Sequence, residues 1–217
     1  MRILIVDDTE INQQSARKTL EGHDLTIVST YDEAVEMLQL EAPSKAVDAE
    51  MKRLGMKQPV NSGWSPDSHE KWKPYLDKAR EVAKQLVPAP FDAVLLDLFM
   101  PASGYAQTAE GQKLVGQLMP VGFPLIFLAA LGSGAKFIGL VTATNHHVHP
   151  MAASIDRLWG KVFALNGAKM AFFHTEFIGV EGTICDKCNG AKCYRCKKTG
   201  LGQGKDWGKV LASLTTK

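Results

Sequence analysis

Two short apolar runs that end in carboxylates constrain this chain more than anything else in it. Residues 91–101 read FDAVLLDLFMP, and residues 1–8 read MRILIVDD. A strand that is apolar at every position has to be covered on both faces, which is the pattern of a parallel strand inside a helix-flanked sheet. Asp97 at the end of one such strand, with Asp7 and Asp8 at the end of another, would gather acidic oxygens around a hard divalent cation.

The surrounding segments alternate as such a sheet requires. Residues 2–6 form a first strand, and residues 10–21 have helical composition closed by Gly22, a natural C-cap. Residues 25–29 form a second strand. Thr30 and Glu33 make a capping box that opens a helix with Ala34, Val35 and Leu38 on one face. The third strand is 93–96. The apolar stretch 114–135 is broken by Pro120, Pro124 and several glycines and leads directly into a fourth strand at 137–142. It therefore reads as a helix buried against the sheet rather than a membrane span.

A helix over 152–159 and a fifth strand around 171–173 follow, and residues 206–214 close the chain as a helix with Asp206 as its N-cap. Right-handed crossovers between five such units predict an α/β fold. Its core is a doubly wound, five-stranded parallel sheet of flavodoxin-like order 2-1-3-4-5, with its ligand site at the carboxyl ends of the strands. Residues 40–90, rich in Lys, Pro and Ser, interrupt the alternation as an insertion. They contain one helix with Trp72, Leu76, Ala79, Ala83 and Leu86 at helical spacing. Trp64 and Trp72 are expected either to pack this insertion on the rest of a single 1–217 domain or to offer a partner surface.

A net charge of +2 and a pI near 8.3, with no basic run, argue against a nucleic-acid partner. The opening MRILIVDD has one basic residue and an apolar run cut short by aspartates, which does not make a signal peptide; the expected location is the cytoplasm.

All four cysteines fall within CDKCNGAKCYRC, as Cys185, Cys188, Cys193 and Cys196. Two C-x2-C knuckles supply four thiolates for tetrahedral Zn²⁺, with an iron-sulfur cluster or a redox pair as the alternatives. The loop 181–204 that carries them precedes the final helix and is expected to be structural first. Its basic residues serve solvation or a docking surface.

Taken together, ILIVDD, the capped helix at 31–38, VLLDLFMP and the VTA at 141–143 resemble the receiver domain of two-component response regulators. The resemblance implies that Asp97 accepts a phosphoryl group from a histidine kinase or phosphotransfer protein. It implies Mg²⁺ held by Asp7, Asp8, Asp97 and the main-chain carbonyl of Phe99, a phosphoryl-contacting hydroxyl on Thr142, and output through a downstream protein. Receivers also carry a lysine at the end of the fifth strand, a few residues after a Gly-Ala pair. Counting from Gly167 and Ala168 lands on His174, and Lys169 points to the other face of the strand.

That departure leaves room for a degenerate pseudo-receiver that binds a partner without phosphorylation. A phosphohydrolase is a third reading, but the second acidic residue that haloacid-dehalogenase-type phosphatases place two positions after the nucleophile is missing. His146, His147 and His149 in the loop 145–150 are expected to rim the acidic site, or else to hold a transition metal.

Overall fold

The computed structural model describes residues 1–38, 44–59, 66–86, 91–104, 108–143, 147, 149–174 and 176–216. Its elements run β1 (Arg2–Val6), α1 (Glu10–Thr19), β2 (Asp24–Val28), α2 (Tyr31–Leu38), α3 (Ser44–Arg53), α4 (Pro66–Leu86) and β3 (Ala93–Asp97). Then come β4 (Met100–Pro101), α5 (Ala109–Gln112), β5 (Leu118–Met119), α6 (Gly122–Leu131), β6 (Phe137–Thr142) and α7 (Pro150–Ala153). The chain closes with β7 (Val162–Leu165), β8 (Ala168–His174), β9 (Phe177–Val180), β10 (Gly202–Lys205) and α8 (Trp207–Thr215).

The central sheet has six strands in the order β2-β1-β3-β6-β8-β7. Neighbouring strands from β2 to β8 are parallel, and β7 adds an antiparallel edge to β8. The expected five-stranded, all-parallel sheet is thus corrected by one strand. The reason is local: Asn166 and Gly167 both take positive φ (49° and 83°), the backbone that a tight two-residue hairpin demands. The segment 162–173 folds into two strands around this Asn-Gly turn.

Alternation along the parallel strands divides the core into two layers. Leu4, Val6, Val94, Leu96, Ile138, Leu140, Met170 and Phe172 face one side, where α2 and α6 supply Leu38, Leu125, Ile126 and Ala129. Ile3, Ile5, Ala93, Leu95 and Ala171 face the other, against Ala16 and Leu20 of α1 and Trp207, Val210, Leu211 and Leu214 of α8. A sheet covered on both faces explains why β3 is buried at every position.

Helix ends follow their local chemistry. The capping box forms, with Glu33 N–H donating to Thr30 Oγ1 and Thr30 N–H donating to Glu33 Oε2, both at 3.1 Å. Asp206 caps α8 by accepting from Lys209 N–H at 3.0 Å. The apolar stretch 114–135 contains a shorter helix than expected, α6. Among the described residues no helix is long and apolar enough to cross a membrane.

The chain divides into two compact units, one made of Met1–Leu38 and Pro90–Lys217 and the other of Gln39–Ala89. The second has its own small core, in which Val47 and Met51 of α3 meet Val82 of α4, with Tyr75, Ala79 and Ala83 packed against them. Leu76 and Leu86, assigned to the apolar face of this helix by their spacing, are exposed. Trp72 lies edge-on to Tyr75 at 6.0 Å. Trp64 lies outside the described residues.

Candidate functional site

The parallel strands β1 and β3 are neighbours, so their carboxyl ends bring Asp7, Asp8 and Asp97 together. One carboxylate oxygen from each lies within 4.8 Å of the others. Asp7 and Asp97 are buried and Asp8 is half-buried.

The cation that meets them is Lys205, the last residue of β10. Its Nζ lies 2.5 Å from Asp7 Oδ2 and 2.8 Å from Asp97 Oδ2. The side chain is fully buried, with the ammonium 5.3 Å from the centroid of the Trp207 ring. A buried ammonium is stable only when its protons are satisfied by charge partners, and two carboxylates provide that.

The cation beside these carboxylates is thus Lys205 rather than His174, the residue reached by counting. His174 ends β8 in register with Thr142, is exposed, and stacks on Trp159 at 4.5 Å. The count failed because β9, the cysteine loop and β10 all intervene between the last parallel strand and the lysine. The stretch 202–204, read as the end of the cysteine loop, is instead with Lys205 a strand paired antiparallel to β9, with Lys205 opposite Phe177. Counting backwards would have found the residue, since Lys205 stands immediately before the N-cap of the final helix.

Asn12 of α1 is a second residue that the sequence reading missed. Its side-chain amide donates to both oxygens of Asp7, at 3.0 and 3.1 Å, while its Oδ1 accepts from Lys205 N–H at 3.1 Å. Its carbonyl accepts from Trp207 Nε1 at 3.0 Å. Ser15, one turn further along α1, donates its hydroxyl to the Lys205 carbonyl. Asp7 is held further by Thr9 N–H at 2.9 Å, and Gln13 Nε2 bonds the Asp7 carbonyl at 2.7 Å. The first turns of α1 thus tie Asp7 to the lysine strand.

Burial holds the Asp97 carboxyl up at about 6; Lys205 pulls it down and Asp7 pushes it back up. Asp8 is also raised, by burial and by Asp7. Three carboxylates against one ammonium leave an excess of negative charge that a divalent cation would offset, so the donor set suits Mg²⁺. Phe99 is buried just past β3, and Thr142 is buried at the end of β6. The N-terminus of α6 presses on the same strand end: a Cβ on Gly122 would fall 2.0 Å from the Asp97 carbonyl oxygen. Only glycine fits there.

The histidine loop is placed in part. His149 caps α7 by accepting from Met151 N–H through Nδ1, and its ring lies edge-on to Phe99 at 6.5 Å. His147 is exposed, 3.3 Å from Asp156. His146 lies outside the described residues. Among the described residues, the groups spaced to hold a metal are the aspartate trio and the four cysteines, with no histidine in either.

In the cysteine loop the Sγ atoms of Cys185 and Cys193 are 3.8 Å apart, those of Cys188 and Cys196 3.7 Å, and those of Cys193 and Cys196 3.9 Å. Four thiolates about 2.3 Å from a tetrahedral Zn²⁺ stand about 3.8 Å from one another. The spacing fits a metal knuckle and is far too long for disulfides. A backbone bond from Cys193 leads the influences that pull the Cys188 thiol down to about 6, while its neighbour Cys185 is pushed up to about 11, as crowded thiols that cannot all ionise without a cation require. A cleft of about 530 Å³ is lined by Thr9 and Ala143 beside the acidic edge and by Cys185, Arg195, Lys197 and Gln203 beside the knuckle.

No family model, curated protein or solved structure matches this chain.

Proposed function

We propose that this chain is a phosphorelay receiver of flavodoxin-like topology that accepts a phosphoryl group on Asp97. The observation that carries the reading is the bridge from Asp7 through Lys205 to Asp97, with Asp8 beside it, at the carboxyl edge of a parallel sheet. An Asp97 carboxylate oxygen attacks the phosphorus of a partner's phosphohistidine. The P–N bond breaks, the imidazole leaves with the electron pair, and an acyl phosphate forms.

On this reading Lys205 pairs with the incoming phosphoryl oxygens, and Asp7 and Asp8 would hold Mg²⁺ together with Asp97 and the Phe99 carbonyl. A bound Mg²⁺ supplies charge that offsets repulsion between the carboxylate and the phosphoryl group. Thr142 donates its hydroxyl to a phosphoryl oxygen and relays the change to a downstream protein.

The alternative, a pseudo-receiver acting only through protein contacts, drew its support from the missing lysine. Lys205 removes that support. Incubation with Mg²⁺ and acetyl phosphate should add one phosphoryl group by intact-mass spectrometry, lost on Asp97→Asn. Neither mass gain nor Mg²⁺-dependent beryllofluoride binding would leave the pseudo-receiver as the surviving reading.

A further inference from the structure

The cysteine knuckle and the acidic pocket share one strand. The knuckle lies in the connection between β9 and β10, and β10 ends in Lys205. Beyond its contact with α1, the geometry that delivers Lys205 rests on a two-stranded ribbon outside the main sheet. An isolated pair of strands is marginal by itself, and closing a long connection costs it further entropy.

Direct bonds run from the cysteines toward the lysine. Cys185 N–H donates to the Gly200 carbonyl at 2.9 Å, and Gly200 N–H donates to Cys196 Sγ at 3.3 Å. Two residues on, Gly202 N–H donates to Thr183 Oγ1 at 3.1 Å, on the strand that carries Lys205.

Within the knuckle the bonds are short-range turns, Ala191 N–H to the Cys188 carbonyl, Lys198 N–H to the Cys193 carbonyl and Thr199 N–H to the Cys196 carbonyl, and one reaches out of it, from Lys197 Nζ to the Phe177 carbonyl. Asn189, Lys192, Lys197 and Lys198 all take left-handed backbone, with φ between 45° and 67°, a conformation that L-residues enter at a cost. Tyr194 and Ile184 are exposed at 94% and 65%, so its larger apolar side chains do not form a core. Four thiolates on one metal would supply the missing constraint.

We infer that metal occupancy of the Cys185–Cys188–Cys193–Cys196 knuckle holds β10 in register and thereby sets whether Lys205 is seated between Asp7 and Asp97. The inference rests on the receiver reading and adds its regulation: phosphoryl acceptance depends on a metal bound outside the pocket. β10 also docks on α1, where a Cβ on Gly204 would meet Ser15 Cβ at 2.5 Å and the Ile11 carbonyl oxygen at 2.7 Å. Because the knuckle closes the β9–β10 connection and the cores of the main sheet contain none of its cysteines, loss of the metal is expected to loosen β10 against this docking while the main sheet stays folded.

Hydrogen exchange and beryllofluoride titration of the full chain test this, comparing zinc-loaded protein, protein stripped by a thiol-competitive chelator and re-supplied with Mg²⁺, and Cys188→Ser. The expected result is an exchange increase of about tenfold or more at Gln203, Gly204 and Lys205, with Ile5 and Leu95 still protected. Beryllofluoride affinity falls about tenfold and returns on zinc re-addition. In Lys205→Met the same stripping causes no further loss, as a shared pathway requires.

Unchanged protection of β10 in stripped protein overturns the inference, and so does equal loss of protection in β1 and β3. If zinc-loaded protein binds no beryllofluoride at all, the receiver reading fails while the exchange measurement still decides the coupling.

Discussion

Lys205 serves two carboxylates at once, and this sets what its removal does. In Lys205→Met a phosphoryl analogue loses a charge-assisted contact worth about 1.5–3 kcal/mol, so beryllofluoride affinity should fall about 10- to 100-fold. Mg²⁺ affinity should not fall, because the ammonium competes with the cation for Asp7 and Asp97. Trp207, beside the ammonium, provides a fluorescence readout for both titrations.

Asp97 makes a prediction of opposite character. Its carboxyl, held up at about 6, lies above the ordinary aspartate value, so its ionisation costs the fold stability above pH 6. The cost is relieved as pH falls through 6 toward 4. Without added Mg²⁺, Asp97→Asn should therefore melt higher than the parent at pH 7.5, with Lys205 still paired to Asp7, and the gap should shrink to about half at pH 5 and close only below about pH 4. Melting curves with the same gap at both pH values would contradict this.

At the scale of elements, the site depends on backbones that approach more closely than any side chain allows. Gly122→Ala would drive a methyl into the Asp97 carbonyl oxygen, and Gly204→Ala would drive one into α1. Each should cost about 1–3 kcal/mol by denaturant unfolding, the range for overpacked cores. Their functional effects should separate: Gly122→Ala shifts the acid-bearing strand and weakens Mg²⁺ binding, whereas Gly204→Ala dislodges Lys205 and weakens beryllofluoride.

Elements were legible where one period or one cap decided them, as with the Thr30–Glu33 box and the Asp206 cap. They were missed where two residues of backbone decided them, as at the Asn166–Gly167 hairpin that turns one expected strand into two. The apolar face of α4 was read in part: Ala79 and Ala83 pack on the small core as their spacing implied, whereas Leu76 and Leu86 are exposed and Tyr75 and Val82, which meet the same core, were missed.

For the whole molecule, the separate cores of the two compact units predict separable behaviour. Among the described residues, the clusters on the two faces of the central sheet contain none from 39–89, and the small α3–α4 cluster contains none from outside it. Replacing residues 39–89 with a flexible Gly-Ser linker should leave Mg²⁺ and beryllofluoride affinities of the remaining chain within about twofold, by calorimetry. A larger loss would mean that the insertion contributes to the pocket.

The acidic cluster and the four-cysteine cluster were both written in the order of residues along the chain. A continuously apolar strand can only be central, and a carboxylate after it can only sit at the sheet's carboxyl edge, so Asp7, Asp8 and Asp97 were bound to converge. Two C-x2-C pairs likewise confine four thiolates to one small volume. Which cation faces those carboxylates was settled by the packing of distant elements. Lys205 and Asp97 belong to strands that never pair with each other, and their meeting depends on how β10 lies across α1. Such a contact has no period, spacing or cap to announce it along the chain.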